Sequence, residues 1–363
     1  MKIACVDPLA TKQEQGGVTL VTDSDALAVV DAERLRQYLS TVVETDDTFD
    51  LGVLSGGLSN LTYVVGSAGR EYVVRRRPLG PVAAGAHDMS REFRVQSALQ
   101  GSGLPVAAMY GFCEDESILG APFYVMGRVP GKVFNREQDV AEVTQAEASA
   151  LSEATVDVLD RLHRVDIDSV GLRSLGRPEG FVARRIGRWL EQWQHSEHRD
   201  QPLVESIGEK LARSVPARTD STLVHGDYRL GNMIVDPAAS APVAAVLDWE
   251  MSTLGDPMTD LAHLLVYWEP SRGRITHESQ SIAQHPGFLR ADQLAERYAA
   301  AAGREIADLD FYLAFEHWRA AIIKEGIYTR SLRTGSGESA DGVGATVGLH
   351  LEEAAEILDI ERR

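Results

Sequence analysis

The sequence predicts an α+β fold in which a β-rich N-terminal lobe precedes a mainly α-helical C-terminal lobe. β-like runs separated by turn residues dominate before residue 130, and amphipathic helical periodicity dominates from about residue 144. Glycine and proline punctuate the chain between these two regions. We therefore expect a loosely attached arm at 1–25, an N-lobe at 26–130 with a hinge at 126–131, and a C-lobe at 131–363.

The composition is that of an ordinary globular protein. The chain has 363 residues, of which 44% are hydrophobic and 25% charged, and its formal net charge is -18. This negative charge argues against nucleic acid or an anionic membrane as a partner. Cys5 and Cys113 are the only cysteines, so we expect neither a disulfide framework nor a cysteine-based zinc site. Because the sequence has no membrane-spanning run and no signal-like N-terminus, we expect a cytoplasmic protein.

The segment around which the rest of the chain is organised is Leu223–Val235. An apolar run leads into His225 and Asp227, Asn232 follows, and a second apolar run carries the chain away. Further along, Asp248 ends another short β-like run. Two such hairpin-like segments would bring Asp227, Asn232 and Asp248 together at one edge of a small sheet. The simpler alternative is a polar turn between two buried strands.

These side chains provide the groups that phosphoryl transfer needs. The spacing His-x-Asp-x-x-x-x-Asn is that of kinase catalytic loops. One carboxylate faces the acceptor hydroxyl, while an amide oxygen and a second carboxylate are hard oxygen ligands for Mg²⁺. The combination therefore favours a kinase over a structural turn.

Three segments, His225–Asn232, Leu247–Glu250 and Leu254–Pro257, resemble the signature of the aminoglycoside phosphotransferase and choline kinase superfamily. The residues of these segments are particularly similar to those of the branch that contains the phosphotransferase domains of the acyl-CoA dehydrogenase 10 and 11 proteins. The resemblance extends from about residue 50 to the C-terminus. It implies a bilobal protein-kinase-like fold and an enzyme that uses ATP and Mg²⁺.

The resemblance also implies roles for the residues of the motif. Asp227 would accept or orient the proton of the acceptor hydroxyl, and Asn232 and Asp248 would ligate Mg²⁺. His225 would brace the loop through hydrogen bonds. Glu250 has two open interpretations, a contact with a second metal or the acceptor, and an outward-facing surface carboxylate.

A glycine-containing turn near the start of the N-lobe is a candidate phosphate-binding loop. It contains Ser55, Gly56, Gly57, Ser59 and Asn60, between two β-like runs. Glycine permits close backbone approach, and the N–H groups with the Ser and Asn side chains can contact phosphate oxygens. Adjacent glycines between strands also indicate an ordinary hairpin, and the kinase-like context is what favours ATP binding.

Arginines end the next strand. Kinases place a lysine here to hold the α- and β-phosphates; by resemblance Arg75 occupies that position, with Arg77 on the same strand face as the alternative. Arginine replaces a compact ammonium by a planar fork with different reach. Glu92, in the following helix, is the candidate partner of this cation. A solvated strand edge and a surface glutamate are the alternative interpretations.

Residues 104–106 and 122–126 are expected to be further strands that complete the sheet before the hinge. In kinase-like folds the hinge backbone reads the adenine edge, so the resemblance implies main-chain contacts to ATP from Met126 and Arg128. In the C-lobe, we expect Asp256 to cap a helix that follows it. Asp256 could also tie that helix to the catalytic loop.

The predicted function is transfer of the ATP γ-phosphoryl group to a hydroxyl of a small molecule. Gly255-Asp256-Pro257 follows closely after Asp248, which leaves little room for a segment that docks a protein substrate. The resemblance leaves two acceptor classes open, an aminoglycoside or amino alcohol and a hydroxyacyl or hydroxy-acid compound. The rival interpretation is a pseudokinase, a nucleotide-binding scaffold without turnover, which only the arginine at position 75 favours.

Overall fold

The structure, a computed structural model, describes residues 14–15, 18–21, 30–54, 60–79, 88–135, 137–196, 198–217, 220–269, 285–306, 308–334 and 337–360. The chain divides into two compact units. The first consists of Met1–Lys132, Ile234–Asp236 and Val243–Glu250, and the second of Val133–Met233, Pro237–Pro242 and Met251–Arg363. The lobe boundaries expected from the sequence stay a prediction.

The first unit contains an antiparallel sheet with seven strands in the described part of the chain. They are β1 (Glu14–Gln15), β2 (Val18–Val21), β3 (Asp50–Leu54), β4 (Leu61–Ser67), β5 (Arg70–Arg76), β6 (Met109–Cys113) and β7 (Phe123–Gly127). The spatial order is β1-β2-β3-β4-β5-β7-β6. β5 is therefore an inner strand, paired with β4 and β7.

In the described part of this unit, three helices accompany the sheet: α1 (Ala32–Val42), α2 (Met89–Leu99) and α3 (Glu116–Leu119). An aspartate caps the start of α2, because Asp88 accepts the Arg91 N–H at 3.0 Å. Leu39 of α1 is fully buried in one core cluster with Tyr63 and Val74 of the sheet. α2 places its buried face, including Glu92, in the same unit.

Two parts of the first unit differ from the sequence expectation. Residues 104–106 are not a strand, and the edge strand β6 begins at Met109. Pro105 has no N–H to donate to a ladder, and its carbonyl accepts the Val246 N–H at 2.8 Å. Within the segment expected to be a loosely attached arm, β1 and β2 extend the sheet, as the β-branched residues of 18–21 favour.

The second unit is mainly helical. Its helices are α4 (Gln145–His163), α5 (Phe181–His195), α6 (Pro202–Arg213), α7 (Pro257–Trp268), α8 (Ala291–Ala302), α9 (Leu309–Thr334) and α10 (Gly337–Ile357). A capping box starts α4, since the Thr144 N–H donates to Glu147 and the Glu147 N–H donates to Thr144. The sheet of the first unit and these helices confirm the α+β class.

Among the described residues, four further short strands are present: β8 (Thr222–Val224), β9 (Met233–Val235), β10 (Val243–Val246) and β11 (Thr253–Gly255). β8 pairs antiparallel with β11, and β9 pairs with β10. The predicted catalytic loop, residues 225–232, connects β8 to β9. In the described part of the chain, no helix has the length and apolar character needed to cross a membrane.

Candidate active site

Arg75 lies at the centre of a charged group in the first unit. It belongs to the inner strand β5, and its side chain is only 13% exposed. Nη1 donates to Glu92 Oε1 at 3.0 Å, and Nη2 donates to Asp248 Oδ1 at 3.3 Å. Arg77, the alternative cation, follows the strand, and its Nη2 lies 3.9 Å from Glu116 Oε1. Arg75 is thus the arginine that pairs with Glu92.

Burial changes the acidity of this charged group. The Glu92 carboxyl is fully buried, and this burial raises its pKa to about 7 although Arg75 acts in the opposite direction. Burial lowers the pKa of Arg75, but its anionic neighbours, Glu92 and Asp248 among them, more than compensate and hold that pKa above its usual value. Arg75 is therefore a fixed cation, which is the property that binding of phosphate oxygens requires.

Asp248 has a backbone conformation that is uncommon for a residue with a side chain. Its φ is 66°, in the left-handed region that aspartate tolerates better than most residues. Next to it, Trp249 is fully buried, and its indole N–H donates to the Val246 carbonyl at 2.9 Å. Glu250 is half-buried and interacts electrostatically with Arg75. This environment favours the site interpretation of Glu250 over the outward-facing surface carboxylate.

Most of the predicted phosphate-binding turn lies outside the described residues: Ser55, Gly56, Gly57 and Ser59. Asn60, the last residue of that turn, is described, and its side chain is buried. The contacts of these five residues with phosphate stay predictions.

The hinge residues lie at the C-terminal end of strand β7 and directly after it. Met126 belongs to β7 and is the register partner of Val73 in β5. The Arg128 N–H donates to the Glu71 carbonyl at 3.2 Å. An adenine contact through that N–H would have to replace this bond, so the remaining main-chain groups are the better candidates. The adenine contacts of Met126 and Arg128 stay predictions.

Asp227 belongs to the second unit, where its carboxylate accepts several hydrogen bonds. Asn232 Nδ2 donates to Asp227 Oδ2 at 2.6 Å and to the Asp227 backbone carbonyl at 2.9 Å. His263 Nε2 lies 2.7 Å from Asp227 Oδ1, and Arg229 Nε lies 3.5 Å from the same oxygen. The structure thus brings Asp227 and Asn232 together. Because the Asp227 side chain remains 31% exposed, a substrate hydroxyl can reach it.

The loop that carries Asp227 is anchored by Asp260 of α7. Asp260 Oδ2 accepts the His225 N–H at 2.6 Å, and Asp260 Oδ1 accepts the Gly226 N–H at 2.8 Å. His225 is fully buried, and its Nδ1 accepts the Asp227 N–H at 3.2 Å. The His225 ring thus accepts a hydrogen bond from within the loop, and the bracing role that the resemblance implies stays a prediction.

Asp256, at the start of the same helix, has a structural role that differs from that of Asp260. Its carboxylate accepts the Met258 N–H at 3.0 Å, which caps α7, and the Tyr312 hydroxyl of α9 at 2.7 Å. The tie between α7 and the catalytic loop comes from Asp260 instead. His163 is also structural, because its ring nitrogens contact the Tyr298 hydroxyl and Asp260.

Sequence reasoning missed a buried charged cluster next to Asp227. His263 of α7 contacts Asp227 through Nε2, and its Nδ1 lies 3.0 Å from Glu316 Oε2. Arg319 Nη2 lies 2.6 Å from the same oxygen of Glu316. His263, Glu316 and Arg319 have exposures of 1%, 2% and 5%. A histidine within the apolar run 261–266 of α7 was the available signal, but it is equally typical of a structural core residue.

This cluster keeps Asp227 ionised. Burial raises the pKa of Asp227, but the hydrogen bond and charge of His263, together with Arg229, lower it well below its usual value overall. Burial and Arg319 lower the pKa of His263, whereas its contacts with Asp227 and Glu316 raise it, and the net direction is upward. Asp227 is therefore an oriented carboxylate that can hold a hydroxyl for attack.

Further cations lie in this part of the second unit. The Arg229 guanidinium lies 5.6 Å from the ring centroid of Tyr267. Lys324 is only 7% exposed, and burial together with Arg229 lowers its pKa to about 8. Burial and the neighbouring Arg319 lower the pKa of Arg185 to about 10. These cations thus add positive charge to a region that also holds the carboxylates of Glu316 and Asp260.

The predicted metal ligands offer oxygen atoms of the kind that Mg²⁺ prefers. Because Asn232 donates through Nδ2 to Asp227, its amide oxygen is the atom that remains for a cation. The Asp248 carboxylate is 27% exposed. Both groups fit a hard divalent cation, and their role as ligands stays a prediction.

Residues 50–315 match the phosphotransferase enzyme family, APH. The chain belongs to this family. Acyl-CoA dehydrogenase family member 11 of Homo sapiens is 34% identical over 313 residues, which are 85% of this chain and 40% of that protein. Family member 10 of Mus musculus is 36% identical over 314 residues, 85% of the chain and 29% of that protein. The chain therefore spans less than half the length of these relatives, and the resemblance seen in the sequence is confirmed.

Solved structures confirm the protein-kinase-like fold of this chain. A protein of Ralstonia eutropha JMP134, provisionally named an aminoglycoside phosphotransferase, is 32% identical with a TM-score of 0.79, covering 92% of this chain and 99% of its own. The GDP and kanamycin complex of APH(2″)-IIIa is 15% identical with a TM-score of 0.61, covering 89% and 99%. The ADP and hygromycin B complex of an APH(4)-Ia variant is 17% identical with a TM-score of 0.58, covering 92% and 99%. The last two similarities concern the fold alone.

Proposed function

We propose that the chain is a small-molecule kinase that transfers the γ-phosphoryl group of ATP to a hydroxyl of its acceptor. The observation that most supports this is the Asp227 carboxylate, which Asn232 and His263 orient while part of it stays exposed. Membership of the phosphotransferase family agrees with it. Nucleotides bound in neighbouring structures, GDP and ADP, support a nucleoside triphosphate as the donor.

In the proposed reaction, the acceptor hydroxyl donates a hydrogen bond to Asp227 and its oxygen attacks the γ-phosphorus. The bond from that phosphorus to the leaving oxygen of ADP breaks as the new P–O bond forms, and the hydroxyl proton passes to Asp227 late. A low pKa of Asp227 is compatible with this order, because the proton becomes acidic only as its oxygen bonds to phosphorus. Positioning of the hydroxyl supplies most of the catalytic effect.

The nucleotide roles form a second part of the proposal. Asn232 and Asp248 would hold Mg²⁺, which when bound neutralises charge on the β- and γ-phosphates. Arg75, fixed by Glu92, would bind the α- and β-phosphates. The turn at 55–60 and the hinge at 126–131 would contact phosphate and adenine. This assigns nucleotide binding to the N-lobe, and the catalytic loop and acceptor to the C-lobe.

Of the two acceptor classes, the positive charge around Asp227 favours the anionic one. Arg229 is close to the Asp227 carboxylate, and Lys324 is buried and interacts electrostatically with Arg229. A cationic aminoglycoside or amino alcohol would meet repulsion there, whereas a hydroxy acid or hydroxyacyl compound would find partners for its carboxylate or phosphate groups. We therefore propose a hydroxy-acid or hydroxyacyl acceptor.

The alternative is a pseudokinase-type scaffold that binds nucleotide without turnover. Arginine in place of lysine was the feature that favoured it. In the structure Arg75 nevertheless makes the ion pair with a helix glutamate that kinases use, so this substitution gives the scaffold little support.

A phosphotransfer assay tests the proposal. Wild type and Asp227→Asn would be incubated with ATP and Mg²⁺ over a panel of hydroxy acids, hydroxyacyl-CoAs, aminoglycosides, choline and sugars. We expect ADP release that depends on a hydroxy acid or hydroxyacyl compound and is lost in the variant. ATP binding with ADP release no higher than that of Asp227→Asn over the whole panel would instead support the scaffold.

A further inference from the structure

A row of buried polar groups leads away from Asp227. His263 Nε2 lies 2.7 Å from Asp227 Oδ1, and His263 Nδ1 lies 3.0 Å from Glu316 Oε2. Arg319 closes the row, because its Nε donates to Glu316 Oε2 at 2.8 Å and its Nη2 also reaches His263 Nδ1. His263 is on α7, whereas Glu316 and Arg319 are one turn apart on α9.

This row fixes where the imidazole proton lies. In a neutral ring, Nδ1 can accept from Arg319, which leaves the proton on Nε2 facing Asp227. In a protonated ring, both nitrogens donate, one to Asp227 and the other to Glu316. In either state the Nε2–H group points at Asp227, so the direction of this hydrogen bond does not depend on the charge of the ring.

We propose that His263, held by Glu316 and Arg319, is a positioning residue that fixes the rotation of the Asp227 carboxylate toward the acceptor hydroxyl. Asn232 holds Oδ2 of that carboxylate at 2.6 Å and His263 holds Oδ1 at 2.7 Å. A carboxylate held at both oxygens presents its remaining lone pairs in fixed directions. This inference rests on the proposed function, because it concerns the same reaction.

The desolvation penalty of burying His263, Glu316 and Arg319 together supports a functional role for this row. Burying charged groups carries a desolvation penalty, and apolar residues of similar volume often stabilise a fold equally well or better. The neighbours of His263 on α7, such as Ala262 and Leu264, are apolar and fully buried. An apolar residue at position 263 would thus be compatible with the helix, but it would leave Asp227 without its donor.

Substitution of His263 tests the inference through the split between kcat and KM. His263→Phe keeps a buried ring without the donor, and we expect kcat to fall about 100-fold while KM for ATP changes by less than about twofold. His263→Gln supplies an amide N–H in place of Nε2–H and should recover most of kcat. The control is His350→Phe, a buried histidine on α10, which should retain wild-type kcat.

A double-mutant cycle separates positioning from a merely structural role. In the His263→Phe background, Glu316→Gln should cause no further loss of kcat, because Glu316 acts on Asp227 only through His263. Equal losses in both backgrounds, or a His263→Phe variant with wild-type kcat, would overturn the inference while leaving the proposed function intact. Absence of turnover in the wild type would contradict the proposed function, and with it this inference.

A spectroscopic measurement gives a readout that needs no turnover. With ¹⁵N-labelled histidine, NMR should show a protonated, hydrogen-bonded Nε2 in His263 whose resonance shifts in Asp227→Ala. A His263 ring protonated only at Nδ1, or insensitive to Asp227→Ala, would overturn the inference.

Discussion

Arg75 Nη1 lies 3.0 Å from Glu92 Oε1, and Arg75 Nη2 lies 3.3 Å from Asp248 Oδ1. One guanidinium therefore connects the helix glutamate to the carboxylate predicted to bind metal. A lysine has a single ammonium group and could not reproduce both contacts in the same geometry. The planar fork of arginine explains how this chain maintains the ion pair without the usual lysine.

The first prediction concerns this cation. Arg75→Met should weaken Mg²⁺-ATP binding by roughly 10- to 100-fold, since hydrogen bonds to charged groups contribute about 1.5–3 kcal/mol. Arg75→Lys should lie between wild type and Arg75→Met. Calorimetric titration with a non-hydrolysable ATP analogue measures these affinities. Arg77→Met is the matched control and should bind normally; equal losses in Arg75→Met and Arg77→Met would refute the assignment.

The second prediction concerns the backbone of the catalytic loop. Gly226 has a φ of 86°, and a Cβ there would lie 2.8 Å from the Met251 carbonyl oxygen. Gly226→Ala should therefore lower the free energy of unfolding by about 1–3 kcal/mol and displace Asp227. Urea unfolding measures the change. Gly187→Ala, in the interior of α5 with open space around it, should instead stabilise by about 0.5–1 kcal/mol, and similar losses in both variants would contradict the argument.

The third prediction concerns the acceptor. Lys324→Met should raise KM for an anionic acceptor about tenfold, as loss of a charge-assisted contact implies, and leave KM for ATP unchanged. Steady-state kinetics with a hydroxy acid and with an uncharged alcohol analogue separate an effect on acceptor charge from a general effect on acceptor binding. Lys210→Met, an exposed lysine of α6, is the control. An equal effect on the charged and uncharged acceptors would show that Lys324 does not interact with the negative charge of the acceptor.

The fourth prediction concerns pH. His317 is buried against His350, with 2.9 Å between their Nδ1 atoms, and burial lowers the pKa of His317 to about 4. Below an unfolded-state pKa of about 6.5, the unfolded chain takes up a proton that the folded chain does not. The stability associated with His317 is therefore complete above that pH and is lost as pH falls toward about 4.

His317→Gln should remove this dependence. Between about pH 7.5 and pH 5, the variant should lose about 2 kcal/mol less unfolding free energy than the wild type. Urea unfolding at both pH values gives the difference, and the comparison uses each protein as its own reference. Parallel pH profiles for the two proteins would contradict a neutral, buried His317.

The sequence predicted those site residues whose relation is local. Asp227 and Asn232 lie on one short loop, so their spacing alone brings them together. The pairing of Arg75 with Glu92 depends on a strand and the helix that follows it. Both elements have clear residue patterns in the sequence. The bonds of Asp260 to the loop, in contrast, depend on the pairing of β8 with β11, which places the start of α7 near His225.

The buried row at Asp227 could not be predicted from the sequence. His263 and Glu316 are 53 residues apart, and their contact depends on how α7 packs against α9. In α9, charged residues occur among apolar ones, and periodicity does not distinguish a buried glutamate from an exposed one. Similarly, residues 104–106 do not form the expected strand. Their β propensity favours one, but Pro105 lacks the N–H that pairing in a sheet requires.

The most direct test of the central claim uses ATP labelled with ¹⁸O in its γ-phosphoryl group, a hydroxy-acid or hydroxyacyl acceptor, and mass spectrometry of the product. The proposed kinase predicts that the acceptor gains the labelled phosphoryl group with wild type and not with Asp227→Asn. Label found only in inorganic phosphate, or transfer by Asp227→Asn at the wild-type rate, would contradict a kinase that positions its acceptor through Asp227.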